Sequence, residues 1–526
     1  MTLSGEVFKY GREQLSAAKA LGIAEGGIKG ILTEKAAGQI ERGKNTVEAI
    51  LKEGKTVYGI NTGFGPLCTT KISAEQTNQL QYNILRSHSV GVGEKVPDRI
   101  AKLSLILKAH SFALGYSGVS IRTVERILWH IENDIIPVVP SQGSVGASGD
   151  LAPLAHTFLP LIGLGKVRYK GVEYDSGDIL LKLGKKPLQL GPKEGLALIN
   201  GTQFITAFSA AAVDRFKNCL DNADIIGAMT LEALLGSTSP FTEELHRLRP
   251  YPGTRYVARR LKALLEGSEM VKSHLDCARV QDPYSLRCMP QVHGASRNAW
   301  LHLKETVEIE LNSVTDNPVI LEGNKALSGG NFHGQPIALP LDYAAVAVSE
   351  LGNISDRRTY LLLEGGYEGL PKLLMRDIGI NSGFMMAQYT SAALVSENKG
   401  LCFPASADSI PTSLGQEDHV SMGSISARKL NRIIDNLENI LAVELLSSAQ
   451  AFDFRRPLKS SKILESCHKY IRRFIRHAER DRIFGEDLNI ARNIIVDGKL
   501  AEISREAAEK ENILLLNDEE KIFEDY

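Results

Sequence analysis

The feature that most constrains the fold of this sequence is a long amphipathic helix in its second half. Between residues 424 and 452 apolar side chains recur every three or four positions, which places them on one face of a helix. A helix of this length would extend roughly 40 Å, and helices that long normally lie side by side in bundles. Pro457 closes the segment. The stripe consists of Leu430, Ile434, Leu437, Leu441 and Leu445.

Other segments repeat this helical pattern. Residues 98–114 and 202–236 also predict helices, and a stripe that starts at Trp300 is expected to continue through Val314 until Asn317-Pro318 stops the helix. Residues 166–174 instead alternate around a glycine and predict a short hairpin. We therefore predict a mainly α fold, a long-helix bundle with a smaller mixed N-terminal region. The expected domains are residues 1–200 and 201–526.

Composition excludes several classes of partner. Lys and Arg number 61 and Asp and Glu 62, so there is no basic surface for nucleic acid or an anionic membrane. We find no secretory signal and no run of about 18 apolar residues, which predicts a cytoplasmic protein with a small-molecule partner. The cysteines form no CxxC pair and are expected to be buried free thiols. They are Cys68, Cys219, Cys277, Cys288, Cys402 and Cys467.

The segment SQGSVGASGDLAPLAH, residues 141–156, is the best candidate for chemistry. Taken alone it is a flexible loop before a helix, with Asp150 as N-cap and Pro153 in the first turn. It lacks the Gly-Lys-Ser/Thr ending of a phosphate loop, and Ser148 is not framed as GxSxG. The local pattern by itself favours the flexible loop.

A resemblance to a known family changes that interpretation. GSVGASGDLAPLAH is similar to the signature of the aromatic amino acid lyases and aminomutases, whose fold is shared with the fumarase and aspartase superfamily. Further blocks resemble the same family in the same order, over roughly residues 50–455. The family implies a homotetramer whose sites combine loops from three subunits. The blocks are VYGINTGFG, EGLALINGTQ, VQDPYSLRC, SVTDNPV, GGNFHGQP, ALVSENK and QEDHVSMG.

The resemblance implies a cofactor made from the chain itself. Ala147, Ser148 and Gly149 would cyclise to a methylidene-imidazolone (MIO), the Gly149 nitrogen attacking the Ala147 carbonyl with loss of two waters. The residue types suit this reaction, because Gly149 has no Cβ to obstruct its nitrogen and Ser148 supplies the hydroxyl that leaves. The exocyclic methylene is an electrophile that no ordinary side chain offers, so no external cofactor is expected.

The family motifs also assign the remaining site residues. Tyr58 would be an acid/base on a mobile loop, and Arg287 would bind the substrate carboxylate through its planar fork. Without the resemblance, Tyr58 is a packed tyrosine beneath a turn and Arg287 a surface ion pair. The implied polar contacts to substrate and cofactor, and an apolar wall, are Asn200, Gln281, Tyr284 and Phe332.

Two features concern the substrate ring. Ser87-His88 occupies the position of the ring-selecting pair, and within the family this pair is typical of members that act on histidine. Glu417 lies where those members have glutamate, and a carboxylate suits an imidazole N–H better than a phenyl ring. We therefore expect elimination of ammonia from L-histidine to give urocanate. Either Tyr58 or Glu417 is the base, and we favour Tyr58; either the amine or the ring attacks the methylene.

Some residues depart from the histidine-specific pattern. Gln335 replaces a glutamate that many of those members have and is also found in bacterial tyrosine aminomutases, where the Ser-His pair occurs as well. Leu414-Gly415 are unusual in their block. The alternatives are a tyrosine or phenylalanine ammonia-lyase, an aromatic 2,3-aminomutase, or a helical scaffold that has lost the chemistry. No metal is predicted, since consecutive residues such as those at 417–419 do not easily converge on one ion.

Overall fold

A computed structural model of the chain describes residues 5–53, 56–63, 65, 72–275, 279–524 and 526. Helices dominate it, which confirms the predicted mainly α fold. The helices are α1 Ala17–Ala24, α2 Glu34–Lys52, α3 Ala74–His88, α4 Asp98–Ala113, α5 Ile121–Glu132, α6 Leu151–Phe158, α7 Ser176–Lys182, α8 Glu194–Ile199, α9 Gln203–Ala233, α10 Glu243–Arg247, α11 Pro252–Leu264, α12 Glu269–Lys272, α13 Tyr284–Arg287, α14 Met289–Leu311, α15 Gln335–Glu364, α16 Met385–Leu401, α17 Gly423–Asp453, α18 Lys462–Phe474, α19 Phe484–Val496 and α20 Lys499–Lys510.

The strands are short. Strands β1 and β2 pair in parallel, whereas the other pairs, β3 with β5, β4 with β6, β6 with β7, and β8 with β9, are antiparallel. The hairpin predicted at residues 166–174 is confirmed as β6 and β7, and Lys170 and Gly171 adopt left-handed φ angles of 51° and 79° in its turn. The strands are β1 Glu6–Lys9, β2 Ile28–Ile31, β3 Val92–Lys95, β4 Ile136–Pro137, β5 Pro140–Gln142, β6 Lys166–Tyr169, β7 Val172–Asp175, β8 Val319–Leu321 and β9 Lys325–Leu327.

The chain forms two compact units. The first comprises Met1–Ala211, Lys304–Asp342 and Pro404–Arg428. The second comprises Ala212–Leu303, Tyr343–Phe403 and Lys429–Tyr526. The domain division expected at residues 200 and 201 stays a prediction. Of the helices described, none is both long and apolar enough to span a membrane.

The long helices agree with the apolar pattern. The stripe predicted for residues 424–452 lies on α17, and all five of its leucine and isoleucine side chains are buried. The stripe that starts at Trp300 lies on α14, but this helix ends at Leu311, so Val314 is outside it. The Asn312 side chain accounts for the earlier end. Its amide donates to the Glu308 carbonyl at 2.7 Å and to the Leu15 carbonyl at 2.9 Å, which satisfies a terminal helix carbonyl.

Helix α4 lies in the core of the first unit. Every residue from Ile100 to Ala113 is buried, although the segment includes two lysines and a histidine. A helix that is buried all round is normally apolar, so its polar side chains need specific partners. One of them, Lys108, reaches the segment that precedes α9, as described below.

Candidate functional site

The Ala147-Ser148-Gly149 triplet lies in the loop between β5 and α6. Gly146 and Gly149 both have a φ of 75°, a left-handed conformation that favours glycine. A Cβ atom on Gly149 would lie 2.1 Å from the Gly201 carbonyl oxygen, so the backbones approach too closely for any side chain. Both conformation and space therefore require glycine at position 149.

Backbone hydrogen bonds hold the flanks of the triplet. The Asp150 N–H donates to the Gly201 carbonyl at 2.8 Å, and the Gly201 N–H donates to the Ser148 carbonyl at 3.3 Å. The Asn200 side chain gives the Ser148 carbonyl a second donor, with Nδ2 at 2.8 Å. Within the described residues the Gly149 N–H donates to no acceptor. The nitrogen that would attack is thus not tied up by a main-chain bond.

The Ser148 hydroxyl contacts a carboxylate. Its Oγ donates to Glu417 Oε1 at 2.9 Å. The other carboxylate oxygen, Oε2, accepts from Thr412 Oγ1 at 3.0 Å and from Ser413 Oγ at 2.7 Å. Three hydroxyl donors on one carboxylate fix its orientation. Apolar contacts among Ala147, Val420 and Met422 pack the two segments together.

The ring-selecting pair lies at the C-terminal end of α3. Ser87 Oγ lies 2.9 Å from His88 Nδ1, and the His88 ring also has a hydrogen bond with the Ile84 backbone. Burial lowers the pKa of His88, and the nearby Glu417 carboxylate partly offsets this effect. The lowered pKa favours a neutral His88 ring at pH 7.

A buried charged network lies against the triplet. The Asp150 carboxylate accepts from the Ile205 N–H at 2.8 Å and from Ser144 Oγ at 3.1 Å, rather than capping α6 through its side chain as expected from sequence. Burial raises the pKa of Asp150 to about 7, against these bonds and the attraction of Lys108. Burial lowers the pKa of Lys108 to about 7, partly offset by Asp316.

A second buried cation supports the same region. Lys193 Nζ donates to Asp316 Oδ2 and to the Ser117 carbonyl, both at 2.7 Å, and the lysine is fully buried. The residue after Asp316 is Asn317, whose N–H donates to Asn200 Oδ1 at 2.6 Å. Because Asn317 occupies the amide oxygen of Asn200, the amide nitrogen is the part that faces Ser148.

Tyr58 and Phe332 are linked to the site by the contacts of their own loops. The Tyr58 hydroxyl accepts from the Gly65 N–H at 3.3 Å, within its own loop, of which residues 64 and 66–71 lie outside the described residues. Phe332 is half-buried in the turn before α15. The next residue, His333, stacks on His419 with ring centroids 5.6 Å apart. The turn of Phe332 therefore adjoins the segment that carries Glu417.

Three of the predicted residues belong to the second unit. Gln281, Tyr284 and Arg287 line an open cleft of about 600 Å³ around α13. Arg287 Nε donates to the Asp282 carbonyl at 2.9 Å, and its guanidinium carbon lies 4.5 Å from the centre of the Tyr284 ring. Its two Nη groups have no acceptor among the described residues, so the fork is available for a carboxylate.

The structure thus joins Ser148, Asn200 and Glu417 by direct hydrogen bonds, with His88 close to the Glu417 charge. Sequence reasoning missed Lys108. A lysine within the apolar run of α4 was the available signal, since such a residue is rarely buried without a role. Among the described residues, no group of three or more His, Cys, Asp or Glu side chains is arranged to hold a metal ion.

The cysteines do not form disulfides among the described residues. Cys219 and Cys467 are buried, as expected, whereas Cys288 and Cys402 are half-buried and so depart from the expectation. Cys68 and Cys277 lie outside the described residues.

Comparisons with known proteins agree on one family. Residues 15–473 match the family described as aromatic amino acid lyase. A protein named histidine ammonia-lyase from Deinococcus radiodurans is 48% identical, with 90% of this chain and 91% of that protein covered. The crystal structure of histidine ammonia-lyase from Trypanosoma cruzi is 38% identical with a TM-score of 0.90, covering 98% of this chain and 97% of that one. A tyrosine aminomutase from Streptomyces globisporus has a TM-score of 0.91 at 33% identity, covering 97% and 100%.

Proposed function

The chain belongs to the aromatic amino acid lyase family, and we propose that it eliminates ammonia from L-histidine to give urocanate. The observation that carries this proposal is the position of the Glu417 carboxylate. It accepts a 2.9 Å hydrogen bond from the Ser148 hydroxyl, and its charge partly offsets the lowering of the His88 pKa by burial. An anionic acceptor beside the reactive serine suits a ring that donates an N–H. Histidine is the aromatic amino acid with such a small donor ring, and relatives 48% and 49% identical carry the name histidine ammonia-lyase.

We propose that Ala147, Ser148 and Gly149 form the MIO group. The local geometry fits, because Gly149 has no room for a Cβ and its N–H is not engaged by a described acceptor. The donors from Asn200 and Gly201 bind the Ser148 carbonyl, next to the atoms that would react. When formed, the group supplies an electrophilic carbon to which the substrate adds, so that ammonia becomes a good leaving group.

The side chains of this chain then orient the substrate and move its protons. Arg287 would bind the carboxylate bidentately, with Gln281 and Tyr284 as further polar contacts. Glu417 would accept from the imidazole N–H, and Ser87 and His88, which contact each other at 2.9 Å, would form the ring-selecting pair. Tyr58 would take the Cβ proton, because Glu417 is needed on the ring.

Supporting residues complete the site. Asn200 would keep the reactive loop in place, and Phe332 would be an apolar wall that excludes water from the electrophile. We further propose a cytoplasmic homotetramer in which sites combine loops of several subunits, as the family resemblance implies. No external cofactor is part of this proposal.

A second candidate is an aromatic aminomutase or a tyrosine ammonia-lyase. The observation that favours it is the TM-score of 0.91 with a tyrosine aminomutase, together with Gln335, whose Nε2 binds the Ser406 carbonyl at 3.3 Å. The fold does not separate the two candidates, so product identity must. Incubation with one amino acid at a time, followed by chromatography, tests the proposal. Urocanate from histidine supports it; a β-amino acid or coumarate from tyrosine, with histidine inert, would replace it.

A further inference from the structure

Lys108 carries a buried amino group to which the proposed reaction gives no role. Only 1% of it is exposed, on a helix whose neighbouring residues are all buried. Removing an ammonium group from water costs free energy unless hydrogen bonds and opposite charges replace its hydration. The Lys108 amino group therefore needs hydrogen-bond acceptors at fixed positions, and these acceptors indicate which part of the structure Lys108 stabilises.

Both acceptors of Lys108 lie at the C-terminal end of α8. Its Nζ donates to the Ala197 carbonyl at 3.0 Å and to the Asn200 carbonyl at 2.8 Å. The Phe112 ring covers a further side, with its centroid 5.4 Å from Nζ. Carbonyls at the end of a helix lack intrahelical donors and carry partial negative charge, so the ammonium both satisfies and fixes them.

The Asn200 backbone in turn determines where two donors point. Asn200 Nδ2 lies 2.8 Å and the Gly201 nitrogen 3.3 Å from the Ser148 carbonyl oxygen. This oxygen is adjacent to the Ser148 Cα, so it takes up negative charge when the Cα proton leaves. Preorganised donors at such an oxygen are an effective way to stabilise the developing charge.

We propose that Lys108 is a positioning residue for cofactor formation, because it binds the Asn200 carbonyl and so holds the Asn200 and Gly201 donors on the Ser148 carbonyl oxygen. This inference rests on the proposed function, since it requires the triplet to cyclise. Lys108 itself neither gives nor takes a proton.

The reaction that it assists is balanced within the chain. A bond forms between the Gly149 nitrogen and the Ala147 carbonyl carbon. The Ala147 oxygen leaves as water with the amide protons of Gly149 and Ser148. Ser148 then loses its hydroxyl and its Cα proton as a second water, which leaves a carbon–carbon double bond. No oxidant or external reactant is needed.

Lys108→Met tests the inference, with Lys102→Met as the matched control. Lys102 is also buried on α4, but its Nζ pairs with Asp134 at 2.5 Å, whereas the bonds to the end of α8 come from Lys108. The readout is the intact mass of freshly folded full-length protein over time, with circular dichroism to verify folding. We expect Lys108→Met to lose its two waters about tenfold more slowly or worse, whereas Lys102→Met matches the wild type.

A double variant tests whether Lys108 acts through Asn200. In the double variant Lys108→Met with Asn200→Ala, the slowing of water loss should be smaller than the product of the two single effects, because the Asn200 donor is already gone and Lys108 has only the Gly201 donor left to hold. Lys108→Arg, which keeps charge and donors, should recover part of the rate. Independent, additive slowing in the double variant would contradict the inference.

The remaining outcomes are also decisive. A folded Lys108→Met protein that loses both waters at the wild-type rate would overturn the inference. If it does not fold, Lys108→Gln replaces it, and failure of both to fold beside a folded Lys102→Met would assign Lys108 to stability and reject the positioning role. A wild-type chain that keeps both waters would instead reject the proposed cofactor itself.

Discussion

The Ser148 hydroxyl donates a 2.9 Å hydrogen bond to the Glu417 carboxylate, although 269 positions of sequence separate the two residues. This contact brings the residue that would become the electrophile to the residue that would bind the substrate ring. Thr412 and Ser413 hold the other carboxylate oxygen, so Glu417 has little freedom to turn away. We therefore expect the electrophile and the group that selects the substrate ring to lie side by side in the first unit.

Ser148→Ala should give a folded protein that is almost inactive, because alanine has no hydroxyl to lose. Intact mass should show the wild type lighter than its sequence by two waters, and the variant should lack at least the second loss. Ser111→Ala is a suitable control, since it removes a buried hydroxyl that binds the Ser313 carbonyl at 3.2 Å. Active wild-type enzyme with the full sequence mass would exclude the cofactor assignment.

Gly149→Ala and Gly171→Ala separate crowding from backbone strain. Their φ angles are 75° and 79°, so each alanine incurs a similar strain of about 1–2 kcal/mol. A Cβ at Gly149 meets the Gly201 oxygen at 2.1 Å, whereas a Cβ at Gly171 has no atom within 4 Å. We expect only Gly149→Ala to block water loss and to cost clearly more in urea unfolding. Equal effects in both variants would show that close approach at residue 149 is unimportant.

Arg287→Ala should lower kcat/KM for histidine by about tenfold or more, with a raised KM, because a charged clamp on the carboxylate is lost. Arg287→Lys should recover only part, since one ammonium does not reproduce the bidentate fork. Steady-state kinetics measure both effects. Arg247→Ala, at an exposed arginine of the same unit, is the control. Unchanged kinetics in Arg287→Ala would place the carboxylate elsewhere.

Glu417→Gln should reduce histidine turnover by roughly tenfold or more, because a charge-assisted bond to the imidazole is lost. Replacing Ser87-His88 with Phe-Leu should also lower turnover of histidine and introduce some turnover of phenylalanine, since an apolar pocket accepts a phenyl ring. Kinetics with both amino acids check this. Glu322→Gln, at an exposed turn, should change neither. If both changes leave histidine turnover intact, these residues do not select the ring.

Much of the fold follows from periodicity alone. The apolar repeat on α17 predicts both ends of the helix to within one residue, because most of the stability of a helix in a protein comes from burying its apolar face. The end of α14 was predicted too late. Asn312 follows the last residue of this helix, and its side chain bonds both the Glu308 carbonyl and Leu15, which lies 297 residues away and is absent from any local pattern.

Only those site residues that lie within short sequence motifs were predictable. Ala147-Ser148-Gly149 and Asn200 were found through their blocks, but the role of Lys108 depends on a contact between α4 and the end of α8. Asp150 occupies the N-cap position of α6 as the sequence predicts, but its carboxylate accepts from residues 144 and 205 and not from the first turn of that helix. The unusual Leu414 is 93% exposed, so its side chain does not disturb the Glu417 carboxylate beside it.

Parallel steady-state kinetics on one preparation decide whether histidine is the substrate. Histidine, tyrosine and phenylalanine are each supplied alone while ammonia and the conjugated acid are both quantified. We expect kcat/KM to be highest for histidine, with urocanate and ammonia released in equal amounts. Higher kcat/KM for tyrosine or phenylalanine, or a β-amino acid formed without net release of ammonia, would contradict it.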